Sequence, residues 1–492
     1  MNIRRLIGGS LKTVLKVLTY SGLGATVVLI VVFVVYLESR PDLAIWHTTH
    51  LNSEFTRHSN ASSLADYLTI EDRVFKQLDT SVYAKVGTGP GNQINRYSRG
   101  SLADPAAMPT NWNRSYELKA DDPKGAVLLL HGLSDSPYSL HSLGERLHAA
   151  GMHVLALRMP GHGTAPSGLT SVDWRDMAAA VDLGVNHLNQ TRGDGPLYVV
   201  GYSTGGALAV YYALTALTDA KRPRLDGIVL ISPAIGVSSL AVLAVWQARL
   251  GHLLGLDKLE WNSLLPEYDP YKYGSFAVNA GDQVYRLTVA ISNLLDSHST
   301  DGALSGLPPI LAFQSGVDAT VSAPALVSGL MQKLPAGKGE LVLFDINRLA
   351  ETLPMLRYDP KATFDSLTDS APLPFSISVL TNASSSDRQV HLVQKTAGDS
   401  DVSESRTDLV WPNDIYSLAH VALPFKPDDP IYGGSPGDDQ LGVHLGNLAL
   451  RGERGVLQIT GTDMLRQRWN PFYDYMEDRI LDFLGVQPAK ND

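Results

Sequence analysis

The chain has 492 residues, of which 44% are hydrophobic and 18% charged, so it can bury a large core and is neither disordered nor fibrous in composition. Its formal net charge is −10 and basic residues cluster only near the N-terminus, which argues against nucleic acid as a partner. Cysteine is absent, which excludes disulfides, thiol catalysis and cysteine-ligated metals.

The first 37 residues predict a membrane anchor. Residues 1–16 are basic and should stay cytoplasmic, and residues 17–37 carry no charge. As a helix this second stretch is roughly 31 Å long, enough to cross a bilayer. A cleaved signal peptide is the alternative, but no small-x-small cleavage site follows residue 37. Both interpretations place the remaining chain in the periplasm or another extracytoplasmic space.

Residues 38–120 are predicted to form a linker followed by a support helix. Residues 41–60 are polar and aperiodic, as in a juxtamembrane linker. Ser63 with Asp66 three positions on is typical of a helix start, and apolar residues then recur at helical spacing to position 78. We expect this helix to pack on the main domain.

Residues 121–488 are predicted to form one α/β domain. Short, continuously apolar runs alternate with helix-like stretches, which indicates a mostly parallel sheet with helices on both faces. These runs are residues 126–130, 154–157, 198–200, 228–231 and 310–313.

Two long insertions interrupt this domain. The first, about 235–308, is rich in apolar and aromatic residues and suits a cap over the strand ends; its members include Trp246, Leu253, Leu254, Trp261, Tyr271 and Tyr273. The second, about 349–411, contains strand-like runs at 375–380 and 390–393, and the sequence assigns it no role.

Gly201-Tyr202-Ser203-Thr204-Gly205 is the most informative motif. An apolar run precedes it and a helix-like stretch follows, so the predicted order is strand, tight turn, helix. A serine at the apex of such a turn exposes its hydroxyl above the sheet, and the flanking glycines allow close backbone approach. Ser203 is therefore the candidate nucleophile.

A nucleophilic serine needs a histidine base and an orienting carboxylate, in the chain order serine, acid, histidine. Asp318 directly follows the last predicted strand and is the candidate acid. Of the later histidines, His420 is the candidate base, His444 is held in reserve, and His391 lies in a strand-like alternation that disfavours it. The separation of Asp318 and His420, about 100 residues, exceeds what one strand and two ordinary connections require.

Two backbone N–H groups are predicted to stabilise the oxyanion of a tetrahedral intermediate. One belongs to Thr204, the residue after the nucleophile, and the other to Leu133, in the loop after the first long apolar run. His131 and His162 are interpreted as residues that shape these loops. No His-Glu-x-x-His pattern occurs, so neither a catalytic metal nor a cofactor is expected.

Taken together, these motifs resemble the α/β-hydrolase superfamily, in particular its monoacylglycerol lipase and serine aminopeptidase-like branch. The motifs are residues 131–137, 158–163, 201–205, 316–318 and 417–420, in the family's order. The resemblance implies the α/β-hydrolase fold, with Ser203 as nucleophile, Asp318 as acid and His420 as base. One scaffold hosts many chemistries, so the motifs say little about the substrate.

The sequence thus predicts a membrane-anchored serine hydrolase that cleaves carboxylic esters through an acyl-enzyme. The apolar cap and the anchor favour acyl-lipid or other hydrophobic esters as substrates. Two alternatives remain open: an amidase or peptidase of the same family, and a non-catalytic membrane-tethered scaffold that uses the second insertion as a docking surface.

Overall fold

A ten-stranded sheet runs through the part of the chain that the computed structural model describes, which is residues 3–236, 256–369, 371–435, 442–446 and 461–487. The strands are β1 (Tyr116–Leu118), β2 (Ala126–Leu130), β3 (His153–Leu157), β4 (Leu197–Tyr202), β5 (Gly227–Ile231), β6 (Trp261–Ser263), β7 (Phe276–Ala277), β8 (Ile310–Ser315), β9 (Gly339–Phe344), β10 (Phe375–Ser384), β11 (Asp387–Lys395) and β12 (Val402–Val410). β6 and β7 pair separately with each other.

The strand order in the main sheet is β1-β3-β2-β4-β5-β8-β9-β10-β11-β12. The seven strands from β3 to β10 in this order are parallel. β1 is antiparallel at one edge, and β11 and β12 continue the other edge as an antiparallel meander. All five predicted apolar runs lie on strands of this sheet.

The helices lie on both faces of the sheet, so alternate residues of one strand enter two cores. Leu128 of β2 packs in one hydrophobic cluster, and Leu129 packs in the other. The helices are α1 (Ile3–Ser39), α2 (Ile45–Thr48), α3 (Leu64–Ser81), α4 (His141–Ala149), α5 (Gly168–Ser171), α6 (Trp174–Thr191), α7 (Thr204–Ala216), α8 (Val278–Asp301), α9 (Ala323–Gly329), α10 (Lys361–Thr368), α11 (Gly461–Met464) and α12 (Tyr473–Leu484). Burial on both faces explains why the central strands are continuously apolar.

The N-terminal helix α1 contains the predicted membrane anchor. Its segment Lys16–Ser39 is long and apolar enough to cross a membrane, and none of its hydrophobic window is buried in the protein. Length and composition are the whole of this observation, and a signal sequence has the same properties.

The segment predicted as a linker packs against the domain. Phe55 is buried beside the core, and His47 is buried against the region of β6 and β7. Helix α3 begins directly after Ser63, whose side chain accepts the N–H of Asp66 as in a capping box. The helix buries Tyr67 in the main core, so this region adds to the α/β domain.

The second predicted insertion enlarges the sheet. Its strand β10 pairs in parallel with β9, with Phe375 opposite Gly339, and β11 and β12 follow as antiparallel strands. The chain then returns over the end of β8, where Ser315 Oγ donates to Leu418 O at 2.8 Å. The long separation of Asp318 and His420 is therefore taken up by three strands at the edge of the sheet and the helix α10.

The described part of the predicted cap comprises β6, β7 and α8. Residues 237–255, which include Trp246, Leu253 and Leu254, lie outside the described residues. Helix α8 contributes to the same core cluster as α7, and Trp261 is buried. The region predicted as the cap also contacts the loop after β2, because the N–H of Tyr273 donates to Ser134 O at 2.9 Å.

Candidate active site

Ser203 lies at a sharp turn between β4 and α7. Its backbone has φ +53° and ψ −115°, which a non-glycine residue adopts only under strain of about 1–3 kcal/mol. The N–H of Ser203 donates to Ile231 O of the neighbouring strand at 2.9 Å, which helps to hold the turn. A side chain at Gly205 would collide with the backbone of Leu130 and His131, so glycine is required there.

The structure brings the three predicted triad residues together. His420 Nε2 lies 3.1 Å from Ser203 Oγ, and His420 Nδ1 lies 2.8 Å from Asp318 Oδ2. Ser203 and Asp318 are each 8% exposed and His420 is 5% exposed, so the three groups interact largely out of water. This is the geometry in which an imidazole takes the serine proton while a carboxylate orients the ring.

The environment of Asp318 keeps its carboxylate ionised. Burial tends to raise the pKa of Asp318, but the hydrogen bond and charge of His420 and the N–H groups of Val321 and Thr320 lower it more, so its pKa lies below the ordinary value. The N–H of Thr320 lies 2.7 Å and that of Val321 3.0 Å from Oδ1. The side chain of Gln314 donates to Oδ2 at 2.9 Å.

The other two candidate histidines lie elsewhere. His391 Nδ1, on β11, is 2.6 Å from Glu404 Oε1 of the neighbouring strand β12. His444 Nε2 donates to the carbonyl oxygen of Gly433 at 2.8 Å. Of the three histidines, His420 is the one beside Ser203.

The two predicted oxyanion donors lie at the ends of adjacent strands. Leu130 of β2 lies opposite Gly201 of β4. Leu133 comes three residues after Leu130, and Thr204 comes three residues after Gly201. Neither N–H donates to another residue in the described parts of the chain. Two such donors near Ser203 are what a developing oxyanion requires.

His131 and His162 shape the loops around this site. His131 Nδ1 donates to Gly132 O at 2.8 Å, and its Nε2 accepts the N–H of Met159 at 3.0 Å. Burial holds the pKa of His131 well below its usual range and lowers the pKa of His162 to about 4. Both rings are therefore neutral, and His131 links the loop after β2 to the loop after β3.

The sequence did not reveal several residues that support the site. Tyr202 packs its ring 5.3 Å from that of His420, and Lys272 Nζ of the cap lies 3.1 Å from Asp135 Oδ1 in the loop after β2. Burial raises the pKa of Asp135, although Lys272 opposes this. Tyr202 could have been selected from the sequence because it precedes Ser203 directly. No sequence pattern indicates that Lys272 lies near the site.

A small cleft of about 130 Å³ opens between the cap and the segment that follows His420. It is lined by aromatic and charged residues: Leu265, Tyr268, Asp269, Lys272, Tyr273, Gly274, Val421, Phe425, Tyr432, Asp463, Arg466 and Arg468. Val421, the residue that follows His420 in the chain, is part of its wall.

One cluster away from Ser203 has the residue types of a metal site. Glu117 Oε1 lies 2.8 Å from His153 Nε2 and 2.6 Å from His187 Nε2, on β1, β3 and α6. Two imidazole nitrogens and a carboxylate oxygen are zinc ligands in many proteins. The same distances are those of hydrogen bonds from both imidazoles to the carboxylate, which satisfy all three groups without a metal.

Comparison with known proteins finds a family model that matches the first half of the domain. Residues 121–290 match the family model described as serine aminopeptidase, S33. A thermostable monoacylglycerol lipase of Bacillus sp. (strain H-257) is 32% identical over 122 residues, 25% of this chain and 46% of that protein. The monoacylglycerol lipase of Mycolicibacterium smegmatis is 33% identical over 129 residues, 25% of this chain and 43% of that protein.

The crystal structure of a monoacylglycerol lipase from Paleococcus ferrophilus is also similar, with 22% identity and a TM-score of 0.35, covering 47% of this chain and 88% of that one. The chain spans somewhat less than half the length of the curated relatives that it matches. The family match covers the loop after β2, the Ser203 turn and most of the predicted cap. Over residues 121–290, this chain is similar to the branch of the α/β-hydrolases that contains the serine aminopeptidases and the monoacylglycerol lipases.

Proposed function

We propose that the chain is a serine hydrolase that cleaves carboxylic esters through an acyl-enzyme on Ser203. The observation that carries this proposal is the continuous contact from Ser203 Oγ through His420 to the carboxylate of Asp318. The strained turn at Ser203 adds support, because strain of this kind persists where the surrounding structure enforces it and is common at functional sites.

In the first step, Ser203 Oγ attacks the carbonyl carbon of the ester while His420 Nε2 takes the hydroxyl proton. The C–O bond to the alcohol then breaks, and the alcohol leaves with that proton, so the acyl group remains on Ser203. In the second step, His420 takes a proton from water, which attacks the acyl carbon. The bond from this carbon to Ser203 Oγ then breaks, Oγ recovers the proton from His420, and the carboxylic acid leaves. The N–H groups of Leu133 and Thr204 hold the oxyanion in both steps.

Acyl-glycerols or similar hydrophobic esters are the proposed substrates. Two relatives named monoacylglycerol lipase support this class. The long apolar helix α1 supports it further, because an enzyme attached to a bilayer meets acyl lipids at high local concentration.

The second candidate function is hydrolysis of amides or peptides by the same residues. It is favoured by the description of the matching family model, which names a serine aminopeptidase. The two functions are separated by the ratio of kcat/KM on a p-nitrophenyl ester to that on an aminoacyl-p-nitroanilide. We expect the ester to be preferred.

We also propose that residues 17–37 anchor the enzyme, with residues 1–16 cytoplasmic and the hydrolase domain of residues 121–488 in the periplasm or another extracytoplasmic space. The excess of Arg and Lys before the apolar segment supports this orientation. Amino-terminal sequencing of the membrane-extracted protein tests it: residue 1 or 2 at the terminus supports an anchor, and a start near residue 40 supports a cleaved signal peptide.

The test of the main proposal is labelling of the full chain in detergent with a fluorophosphonate probe, followed by peptide mapping. We expect one modification, on Ser203, together with hydrolysis of p-nitrophenyl esters. Ser203→Ala should lose both while its thermal unfolding stays within a few degrees of the parent. The exposed Ser328→Ala variant is the matched control. Esterase activity in the Ser203→Ala protein would overturn the assignment.

A further inference from the structure

Glu117, His153 and His187 form a cluster at the edge of the sheet, separate from the candidate active site. One ligand atom of each side chain lies within 4.8 Å of those of the other two. Glu117 Oε1 contacts both imidazoles, at 2.8 Å for His153 Nε2 and 2.6 Å for His187 Nε2. Two imidazoles and one carboxylate are a ligand set that zinc uses in proteins. We refer to these three residues as the edge cluster.

The pairing of β1 with β3 brings the first two members together. Glu117 lies opposite Leu155 in the antiparallel register, and His153 precedes Leu155 by two residues. Side chains two residues apart on a strand share one face of a sheet. Leu155 packs in the same hydrophobic cluster as Val185 of α6, so this is the face that α6 covers.

Helix α6 brings the third member. Its Gly184 packs on the sheet, because a Cβ there would meet Leu128 Cδ1 at 3.2 Å and Leu155 Cδ2 at 3.5 Å. His187 follows Gly184 by three residues and therefore lies on the same side of the helix. Three elements that are fixed by core packing thus direct their ligand atoms to one point.

The charge of the Glu117 carboxylate is poorly matched within the protein. In the described parts of the chain, Lys119 is the one permanent cation within ion-pair distance, with Nζ 3.6 Å from Oε2. Lys119 is 72% exposed, and an ion pair of this kind contributes little. The neutral imidazoles supply hydrogen bonds without a charge. A divalent cation at the edge cluster would supply both ligand bonds and the missing positive charge.

We propose that the edge cluster binds one Zn²⁺ through Glu117 Oε1 and the Nε2 atoms of His153 and His187. Tetrahedral zinc separates neighbouring ligand atoms by about 3.3 Å, so the two contacts to Oε1 would lengthen by about 0.5–0.7 Å. The side chains of Glu117 and His187 are 18% and 26% exposed, which leaves room for this movement and for water as the fourth ligand. Each imidazole would then carry its proton on Nδ1.

The zinc has a structural role, which is independent of the proposed ester hydrolysis. His153 begins β3, whereas the loop of residues 158–163 follows the other end of this strand, roughly 16 Å away. β1 has three residues and pairs with β3 at the edge of the sheet. Zinc held by the edge cluster would fasten this short strand to β3 and α6, and its binding energy would stabilise the folded chain.

Zinc titration of the untagged, metal-free, full-length protein in detergent tests the proposal, with a chromophoric chelator as competitor. We expect one zinc per chain, and a rise of about 3 °C or more in the unfolding midpoint at 100 times the dissociation constant. Loss of a group that merely supports a metal ligand costs about 10- to 100-fold in affinity, so Glu117→Gln and His187→Gln should each weaken binding at least 100-fold. Both should also lose the zinc-dependent rise.

His391→Gln is the matched control. His391 Nδ1 lies 2.6 Å from Glu404 Oε1, so this variant also removes a short contact between an imidazole and a carboxylate, but at a pair without a second histidine. It should bind zinc as the parent does. Stoichiometric zinc that neither cluster variant weakens would overturn the proposal, because the metal would then lie elsewhere. Absence of stoichiometric binding at micromolar zinc would identify the edge cluster as hydrogen bonded only.

X-ray absorption at the zinc edge of the loaded parent protein gives a test that does not depend on the folding of any variant. We expect two imidazole nitrogens and oxygen ligands at about 2.0–2.2 Å in a four-coordinate site. A spectrum with oxygen ligands alone would overturn the proposal.

Discussion

Glu54 and Arg158 form a two-pronged ion pair, with Oε2 3.0 Å from Nη1 and Oε1 2.9 Å from Nη2. Arg158 is completely buried, and its Nε also contacts Glu71 of α3 at 3.1 Å. The pair ties the segment before α3 to the loop after β3. Since the next residue, Met159, donates to His131, this contact reaches the loop that carries Leu133.

Glu54→Gln should lower the free energy of unfolding by about 2–3 kcal/mol. Burial tends to raise the pKa of Glu54, but the charge and hydrogen bonds of Arg158 lower it more, so its pKa lies below the ordinary value and the side chain is ionised at neutral pH. Removal of one charge from a buried pair typically costs about 3–5 kcal/mol. The expected loss is smaller here, because Glu71 still pairs with Arg158 in the variant. Urea unfolding at pH 7.5 measures the change. Exposed Glu351→Gln should stay within about 0.5 kcal/mol; an equally small effect of Glu54→Gln would contradict the prediction.

Asp318→Asn should reduce kcat on a p-nitrophenyl ester by about 10³- to 10⁴-fold with little change in KM. An amide in place of the carboxylate neither orients His420 in the required tautomer nor stabilises the imidazolium that forms during the reaction. The rate of fluorophosphonate labelling should fall in parallel. Asp365→Asn, at an exposed ion pair with Lys361, is the control and should retain the parental rate. A kcat within tenfold of the parent would show that Asp318 does not act as the orienting acid.

His47 should make the protein less stable as the pH falls from 6.5 to 4. Burial of the ring lowers the pKa of His47 to about 4. Nδ1 of the ring accepts the N–H of Ala44, and Nε2 contacts Ser275. Between these pH values the unfolded chain binds a proton that the folded protein does not, so unfolding becomes easier. The contribution is about 2–3 kcal/mol between pH 7.5 and 4.5.

The comparison that checks this is urea unfolding of the parent and of His47→Asn at both pH values. Asparagine can still accept the N–H of Ala44 but does not titrate, so the variant should lose less stability on acidification than the parent by about that amount. If both proteins lose the same free energy, the imidazole of His47 is not the group responsible.

Gly205→Ala should abolish labelling of Ser203 and destabilise the domain by more than about 3 kcal/mol. A methyl group at this position would collide with backbone atoms of β2 and of the following loop. Movement of side chains cannot remove this collision, so the backbone itself would have to shift. Thermal unfolding and fluorophosphonate labelling measure the two effects. Gly89→Ala, where a methyl group would meet open space, should leave both unchanged. A stable Gly205→Ala protein that is still labelled would show that the turn at Ser203 tolerates a shift of β2.

The local features of the site followed from sequence because short-range sterics determine them. A glycine-flanked serine between an apolar run and a helix can adopt few backbone conformations, so the turn at Ser203 was predictable. Asp318 was selected in the same way, because it comes directly after a predicted buried strand. Buried parallel strands likewise reveal themselves by continuous apolar runs, and all five runs lie in the sheet.

The sequence alone predicted the parallel core, the candidate nucleophile and the candidate acid, and it carried the resemblance to the α/β-hydrolases. Tertiary structure decided which of three histidines lies beside Ser203, that residues 375–410 extend the sheet, and that Glu54 pairs with Arg158. Contacts of this kind join residues that are far apart in the chain. They depend on strand register, burial and the pairing of charges across elements, which no local pattern of residues encodes.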